Sequence, residues 1–135
     1  MELILHAGDV GGRGVLDELR AIAPVRAVFG NTDIPGDPHL DAAIDLVMDG
    51  VANHVTHGHE LGSPTPARLV DRYRADVIVY GHTHRALIQR VGSRLVVNPG
   101  AAGPRRFSVK PSVAKLTVGS GAAEAAIVWL MDSAL

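Results

Sequence analysis

Residues 76–84 have the sequence DVIVYGHTH, in which an apolar run, Asp76–Tyr80, stops at Gly81 and is followed by His82-Thr83-His84. Short aliphatic runs bounded by turn residues are typical of buried strands. A glycine at the end of such a strand lets the backbone turn sharply and approach a ligand closely. The segment therefore predicts a buried strand whose carboxyl end presents two imidazoles.

The same arrangement of an apolar run and a polar glycine turn occurs at three earlier points in the chain. They are Glu2–His6 before Gly8-Asp9, Val25–Phe29 before Gly30-Asn31-Thr32-Asp33, and Ala52–Thr56 before His57-Gly58-His59. Each of these motifs alone is also compatible with ordinary turn chemistry. In open α/β sheets, however, ligands bind at the carboxyl ends of the strands. Four motifs in the same register therefore predict that their side chains converge on one rim.

Helical patterns separate the early strands, and hairpin patterns follow in the last third of the chain. Val15–Ile22 has apolar residues at helical spacing, and Pro64–Ala75 follows a serine and begins with proline, as helix starts often do. Glycine turns at Gly92-Ser93 and 119–121 separate pairs of short strands. We expect one α/β domain over residues 1–135, with a mixed sheet or two packed sheets flanked by helices.

Composition restricts the chemistry and the partners that this rim can have. The chain has 135 residues, seven histidines, no cysteine and a formal net charge of −1. Disulfides, thiolate metal sites and cysteine nucleophiles are therefore excluded, and the charge gives no reason to expect nucleic acid or an acidic membrane as a partner. Ser63 and Ser93 lack the G-x-S-x-G context of serine hydrolases. No signal peptide or membrane-span pattern is present, so we expect a cytoplasmic protein.

The polar residues of the rim are of the types that bind a hard or borderline metal. A carboxylate can bridge two cations, while imidazoles and an amide oxygen complete their shells. Without thiolates, this set suits Mn²⁺, Fe, Zn²⁺ or Ni²⁺ and does not choose among them. Two such ions about 3.5–4 Å apart would activate a bridging hydroxide and clamp a phosphoryl group. His82 and His84 are expected on the same side of an extended segment, because strand residues alternate in direction.

Taken in order, these motifs resemble those of calcineurin-like metallophosphoesterases. The matching segments are Gly8-Asp9, Gly30-Asn31-x-Asp33, His57-Gly58-His59 and Gly81-His82-x-His84. Val97-Asn98-Pro99-Gly100 resembles a narrower branch, the small bacterial and archaeal phosphodiesterases of the YfcE type, in which we assign Asn98 no catalytic role. The resemblance extends from Glu2 to about Met131. It implies the calcineurin-like phosphoesterase fold, a pair of packed mixed β-sheets flanked by helices.

The resemblance also implies a ligand set for two divalent metal ions, with Mn²⁺ expected first. Asp9 would be the carboxylate that bridges both ions. Asn31, His57 and His82 would complete the shell of the second metal, and His84 would bind the first.

On the catalytic side, the resemblance implies that Asp33 orients neighbouring groups and that His59 lines the substrate side. Thr32 stands where many superfamily members have a histidine to protonate the leaving group, and a threonine hydroxyl is a poor general acid. Good leaving groups, or help from His59, would then be needed. The implied activity is hydrolysis of a small phosphate ester, in particular a phosphodiester, by a hydroxide bridging two metals. The alternative is a non-catalytic metal-binding or scaffold module on the same fold.

Family members open with a strand ending in Asp-x-His and then a helix, before the strand that begins here at Glu2. The comparison implies that a strand–helix unit of roughly thirty residues is missing, which would leave the first metal only Asp9 and His84. The neighbouring strand edge would then be exposed and would favour a homodimer or aggregation. A misplaced start codon and a decayed gene both explain this, and the intact motifs favour the first. We expect this exact chain to be weakly active or inactive.

Overall fold

A computed structural model describes residues 3–8, 13–30, 33, 40–101 and 111–130, and every structural statement below refers to these residues. Within them, strands alternate with helices in the first part and form hairpins in the second. The elements are β1 Ile4–His6, α1 Arg13–Arg20, β2 Val25–Ala27, β3 Ile44–Met48, β4 Val51–Val55, a 3₁₀ turn His59–Leu61, α2 Pro66–Arg72, β5 Val77–Val79, β6 Leu87–Val91, β7 Arg94–Asn98, β8 Ser112–Gly119 and β9 Ala122–Trp129.

The strands form a mixed five-stranded sheet and two smaller sheets. The large sheet has the order β3-β4-β5-β7-β6, in which β4, β5 and β7 are parallel and the two outer strands are antiparallel to their neighbours. Strands β1 and β2 form a parallel pair, and β8 and β9 form an antiparallel hairpin. The expected packed mixed sheets are confirmed, with a second layer that consists of two pieces among the described residues.

Strand β5 is apolar on both faces because both faces are covered. Side chains alternate along a strand, so Val77 and Val79 enter the core between the layers. Ile78 and Tyr80 point to the opposite side, where they pack against Leu69 of α2. The continuous run at residues 76–80 is therefore the pattern of a strand buried between a helix and another sheet.

The second layer closes the core from the other side. Ala7 and Val28, from the ends of β1 and β2, pack in the same cluster as Val79, and so do Leu116 and Ala123 of the hairpin. Side chains of the hairpin alternate between this core and the exterior, as expected for a sheet with one buried face. This packing brings the carboxyl ends of β1, β2, β4 and β5 to the same edge of the molecule.

Two details differ from the sequence expectations. Strand β3 was not among the strands predicted from the sequence. Ile22, placed by its spacing on the apolar face of a helix, is 66% exposed because α1 ends at Arg20. Neither helix of the described ranges is long and apolar enough to cross a membrane.

Candidate metal centre

The predicted rim forms where the two layers meet, and glycines allow the close approach. A Cβ placed on Gly8, at the end of β1, would lie 2.5 Å from Cδ2 of His57. A Cβ on Gly81, at the end of β5, would lie 3.0 Å from the backbone oxygen of Ala7. Gly8 also has a φ of +104°, which side chains rarely adopt. The turns after β1, β4 and β5 therefore touch one another, which confirms their predicted convergence.

His57 lies at the centre of this rim. Its side chain is buried, with 1% of its surface exposed. Its Nδ1 lies 2.9 Å from Nδ1 of His59, so one of these nitrogens donates a hydrogen bond to the other. Its ring meets the ring of His82 edge to face, with centroids 5.1 Å apart. The backbone N–H of Gly81 donates to the carbonyl of His57 over 3.1 Å, which joins the two turns directly.

His82 and His84 do not lie on an extended segment, and that part of the prediction was wrong. Both residues have left-handed backbone conformations, with φ of +69° and +61°. The loop is instead a series of tight turns, in which the Thr83 N–H donates to the Gly81 carbonyl over 2.8 Å. His82 reaches the ring of His57 by this turn rather than by strand alternation.

The His82 loop is fixed by Asn98, whose side chain is fully buried. Its amide donates to the carbonyl of Gly81 over 3.2 Å and to the hydroxyl of Thr83 over 3.0 Å. Its Oδ1 accepts from the Gly100 N–H over 2.9 Å. Buried amides that satisfy several partners rigidify their surroundings. Asn98 therefore supports the turn that presents His82, in agreement with a non-catalytic role.

Asp33 closes the turn after β2. Its Oδ2 accepts from the Gly30 N–H over 2.8 Å, and its own N–H donates to the Gly30 carbonyl over 3.1 Å. Asp residues commonly stabilise turns by such bonds to the nearby backbone. The predicted orientation of metal ligands by Asp33 stays a prediction.

His59 lies at the mouth of the site and is partly exposed. The ring of Phe29 meets it edge to face, with centroids 5.8 Å apart, and the centroid of His82 lies 6.4 Å away. Phe29 follows β2 and was not among the predicted site residues. Its only sequence signal is its position directly before Gly30. The predicted position of His59 on the substrate side and its chemical role both stay predictions.

Two of the five predicted ligands, Asp9 and Asn31, lie outside the described residues. Among the residues that are described, no group of three or more His, Asp or Glu side chains is arranged to bind an ion. The neighbouring imidazoles of His57 and His82 nevertheless suit a borderline divalent metal. The adjacent imidazoles of His57 and His82 therefore fit a divalent metal in type.

Comparison with known proteins identifies the family. The model of the calcineurin-like phosphoesterase superfamily domain matches residues 1–121 of the chain. The chain belongs to this superfamily.

Curated relatives in the superfamily have related names. A probable metallophosphoesterase of Methanocaldococcus jannaschii is 34% identical over 122 residues, which cover 87% of this chain and 62% of the relative. The chain thus spans less than two thirds of that protein's length. A phosphodiesterase of the same organism is 30% identical over 113 residues, or 74% of this chain and 67% of the relative. These matches agree with the small-phosphodiesterase branch.

The fold also matches solved structures of the superfamily. Wild-type Vps29 of Entamoeba histolytica, solved in complex with Zn²⁺, superposes with a TM-score of 0.78 at 22% identity. The match covers 96% of this chain and 82% of that protein. The two chains therefore share the calcineurin-like phosphoesterase fold.

Proposed function

We propose that this protein hydrolyses a small phosphodiester with two divalent metal ions bound at the rim. Mn²⁺ is the metal expected first, and Fe, Zn²⁺ and Ni²⁺ are the alternatives. The observation that supports this most strongly is the contact of three strand-end turns around His57 and His82. The similarity to a phosphodiesterase of M. jannaschii supports the diester as substrate class. The Zn²⁺ complex of the Entamoeba protein supports divalent metal binding on this fold.

In this proposal, five side chains hold the metals. His57, His82 and Asn31 would hold one ion, His84 would hold the other, and Asp9 would contribute to both. Bound divalent ions supply a nucleophile at neutral pH by acidifying water, and they withdraw negative charge from phosphoryl oxygens. The buried position of His57 and the fixed loop of His82 restrict how far these two imidazoles can move.

His59 is the residue that we assign to proton transfer at the substrate. Its Nδ1 is engaged with His57 over 2.9 Å, so Nε2 is the atom that exchanges a proton with the leaving group. Phe29 packs against its ring and limits water on that side. Because Thr32 is a poor general acid, diesters with good leaving groups should react fastest. Asp33 is bonded to the Gly30 N–H, which holds the two ends of the turn after β2 together.

Self-association as a homodimer is a second part of the proposal. Exposed apolar side chains on the hairpin, including Val128 at 46% and Trp129 at 55% exposure, offer a surface for it. Sedimentation velocity at several protein concentrations measures the oligomeric state directly. A sedimentation coefficient that stays at the monomer value throughout would reject the dimer.

The rival function is a non-catalytic metal-binding or scaffold module, and one assay separates the two. Hydrolysis of bis(p-nitrophenyl) phosphate is measured with and without Mn²⁺, for the wild-type chain and the Asp9→Ala variant. Glu124→Ala, an exposed change on β9, is the matched control. Metal-dependent hydrolysis that is lost in Asp9→Ala and kept in Glu124→Ala supports the enzyme. Metal binding without hydrolysis supports the scaffold. If the wild-type chain shows neither metal binding nor hydrolysis, both functions are rejected.

A further inference from the structure

The carboxylate of Glu60 accepts hydrogen bonds from three residues around the turn that presents His57 and His59. Its Oε2 accepts from the Thr56 hydroxyl over 2.7 Å, at the end of β4, and from the Tyr73 hydroxyl over 2.6 Å, at the end of α2. Its Oε1 accepts from the backbone N–H of Gly58 over 3.1 Å. The Glu60 side chain is thus bonded to the residue on either side of His57 and to Tyr73, which lies thirteen residues after Glu60 at the end of α2.

The bond to Gly58 satisfies a backbone group that the strand cannot. Gly58 has a left-handed conformation, with φ of +95°, so its N–H has left the ladder of β4. Unpaired backbone N–H groups in sheltered positions are unfavourable. Hydrogen bonds to a charged acceptor are about twice as strong as neutral ones. The carboxylate therefore stabilises this particular turn rather than the hydrophobic cores.

The Glu60 network also determines where the next side chain points. Glu60 directly follows His59, and both belong to the 3₁₀ turn His59–Leu61. With its carboxylate fixed at three points, Glu60 restricts the backbone from which the His59 ring projects. That ring in turn reaches His57 Nδ1 and the edge of Phe29.

We propose that Glu60 is a positioning residue that orients the His59 imidazole toward His57 and His82, with Tyr73 and Thr56 holding its carboxylate in place. The consequence for catalysis rests on the proposed function, in which His59 exchanges a proton with the leaving group. The geometric part does not depend on activity and can be measured in the metal-free chain.

The protonation states agree with this geometry. Burial raises the pKa of Glu60, but the hydrogen bonds from Tyr73, Thr56 and the backbone, together with the nearby His59, lower it by more, so the pKa lies below its ordinary value. Burial and the bond to Glu60 raise the pKa of the Tyr73 phenol. At neutral pH the pair is therefore a carboxylate that accepts and a phenol that donates.

The test uses the chain labelled with ¹⁵N-histidine, free of metal, and long-range ¹H–¹⁵N NMR spectra of the imidazoles. A hydrogen bond between the two Nδ1 atoms requires different tautomers in His57 and His59, one protonated at Nδ1 and the other at Nε2. The variants are Glu60→Gln, Tyr73→Phe and the exposed control Glu124→Gln. Gln keeps the size of the side chain, but one of its two terminal atoms becomes a donor and cannot accept at that position.

Glu60→Gln should lose the two distinct tautomers and give averaged imidazole shifts, and Glu124→Gln should leave them unchanged. Tyr73→Phe removes one bond while keeping the ring, and should shift the His59 signals part of the way. If Glu60→Gln does not fold by circular dichroism, Tyr73→Phe decides the question. If Glu60→Gln folds and keeps the wild-type tautomers, the proposal is overturned. If Glu60→Gln does not fold, unchanged His59 signals in Tyr73→Phe overturn it.

A second measurement separates this inference from the proposed function. Titration with Zn²⁺ alone should show a smaller loss of affinity in Glu60→Gln than in His57→Ala, because the bonds of Glu60 go to Thr56, Gly58 and Tyr73 and not to a predicted ligand. The kcat of Glu60→Gln for a phosphodiester should fall by about tenfold or more at unchanged KM, since general acid–base groups contribute roughly 10²–10⁴-fold. If wild type hydrolyses nothing, the proposed function fails, and the NMR result still decides the positioning.

Discussion

Gly8→Ala is the substitution for which the structure gives the sharpest expectation. The added Cβ would lie 2.5 Å from His57 Cδ2, 2.8 Å from Cγ and 2.9 Å from Cβ, whereas carbon atoms prefer about 3.5–4.0 Å. His57 is buried and bonded to the neighbouring turns, so it has little room to retreat. Overpacking of this kind costs about 1–3 kcal/mol. The left-handed conformation adds about 1–2 kcal/mol for a residue with a side chain.

Gly50→Ala is the matched control for the backbone term. Gly50 also has a positive φ, +78°, but no heavy atom of the described residues lies within 4 Å of its added Cβ. It should therefore lose only the backbone part, about 1–2 kcal/mol. Gly8→Ala should lose about 2–5 kcal/mol in the free energy of unfolding.

Urea unfolding measures both variants against wild type. With a slope of about 1–3 kcal/mol per molar urea, the steric difference should place the midpoint of Gly8→Ala about 1 M below that of Gly50→Ala. Zn²⁺ binding should also weaken in Gly8→Ala alone, because the displaced ring belongs to a predicted ligand. Equal midpoints for the two variants would refute the reasoning that the β1 turn presses on His57.

Four further outcomes are expected. Asn98→Ala should lower the free energy of unfolding by about 2–4 kcal/mol, since buried partners of the His82 loop lose their bonds; calorimetry measures it. Leu69→Ala, at a fully buried site, should lower the free energy of unfolding by about 2–5 kcal/mol. Urea unfolding measures this, and an unchanged midpoint would contradict it. The pKa of Glu60 lies below its ordinary 4.5, so its carboxylate stabilises the fold fully above pH 4.5 and less as pH falls through the pKa of the folded state. The melting temperature of Glu60→Gln should therefore fall less than that of wild type over this acid range. The pKa of Tyr73 lies above 10.0, so its phenol stabilises the fold fully below pH 10 and less as pH rises through the pKa of the folded state. The melting temperature of Tyr73→Phe should therefore fall less than that of wild type over this alkaline range.

Local patterns predicted the strands and the rim well because the signal is contained in short segments. The run at residues 76–80 is apolar on every residue after Asp76, and the structure explains this by burial of both faces of β5. The glycines at positions 8 and 81 mark the points where the two layers touch. Such positions are visible in sequence because only glycine fits them.

Features that depend on distant packing were not predictable in the same way. The Glu60–Tyr73 bond requires α2 to dock beside the turn, and nothing in either local sequence indicates that. The left-handed backbone of His82 and His84 arises from bonds to Asn98 and within the loop, which override the expected extended form. The ligand functions of Asp9 and Asn31 stay predictions, as both residues lie outside the described part of the chain.

The central claim is that the rim around His57 and His82 binds divalent metal, and a calorimetric titration with Mn²⁺ tests it most directly. The wild-type chain and the Glu124→Ala control should bind Mn²⁺ with the same affinity. His57→Ala and His82→Ala, shown to be folded by circular dichroism, should bind at least tenfold more weakly, in line with the roughly 10–100-fold loss seen even for groups that only support metal ligands. Equal Mn²⁺ affinity in all four proteins, or no binding by the wild-type chain, would contradict the account.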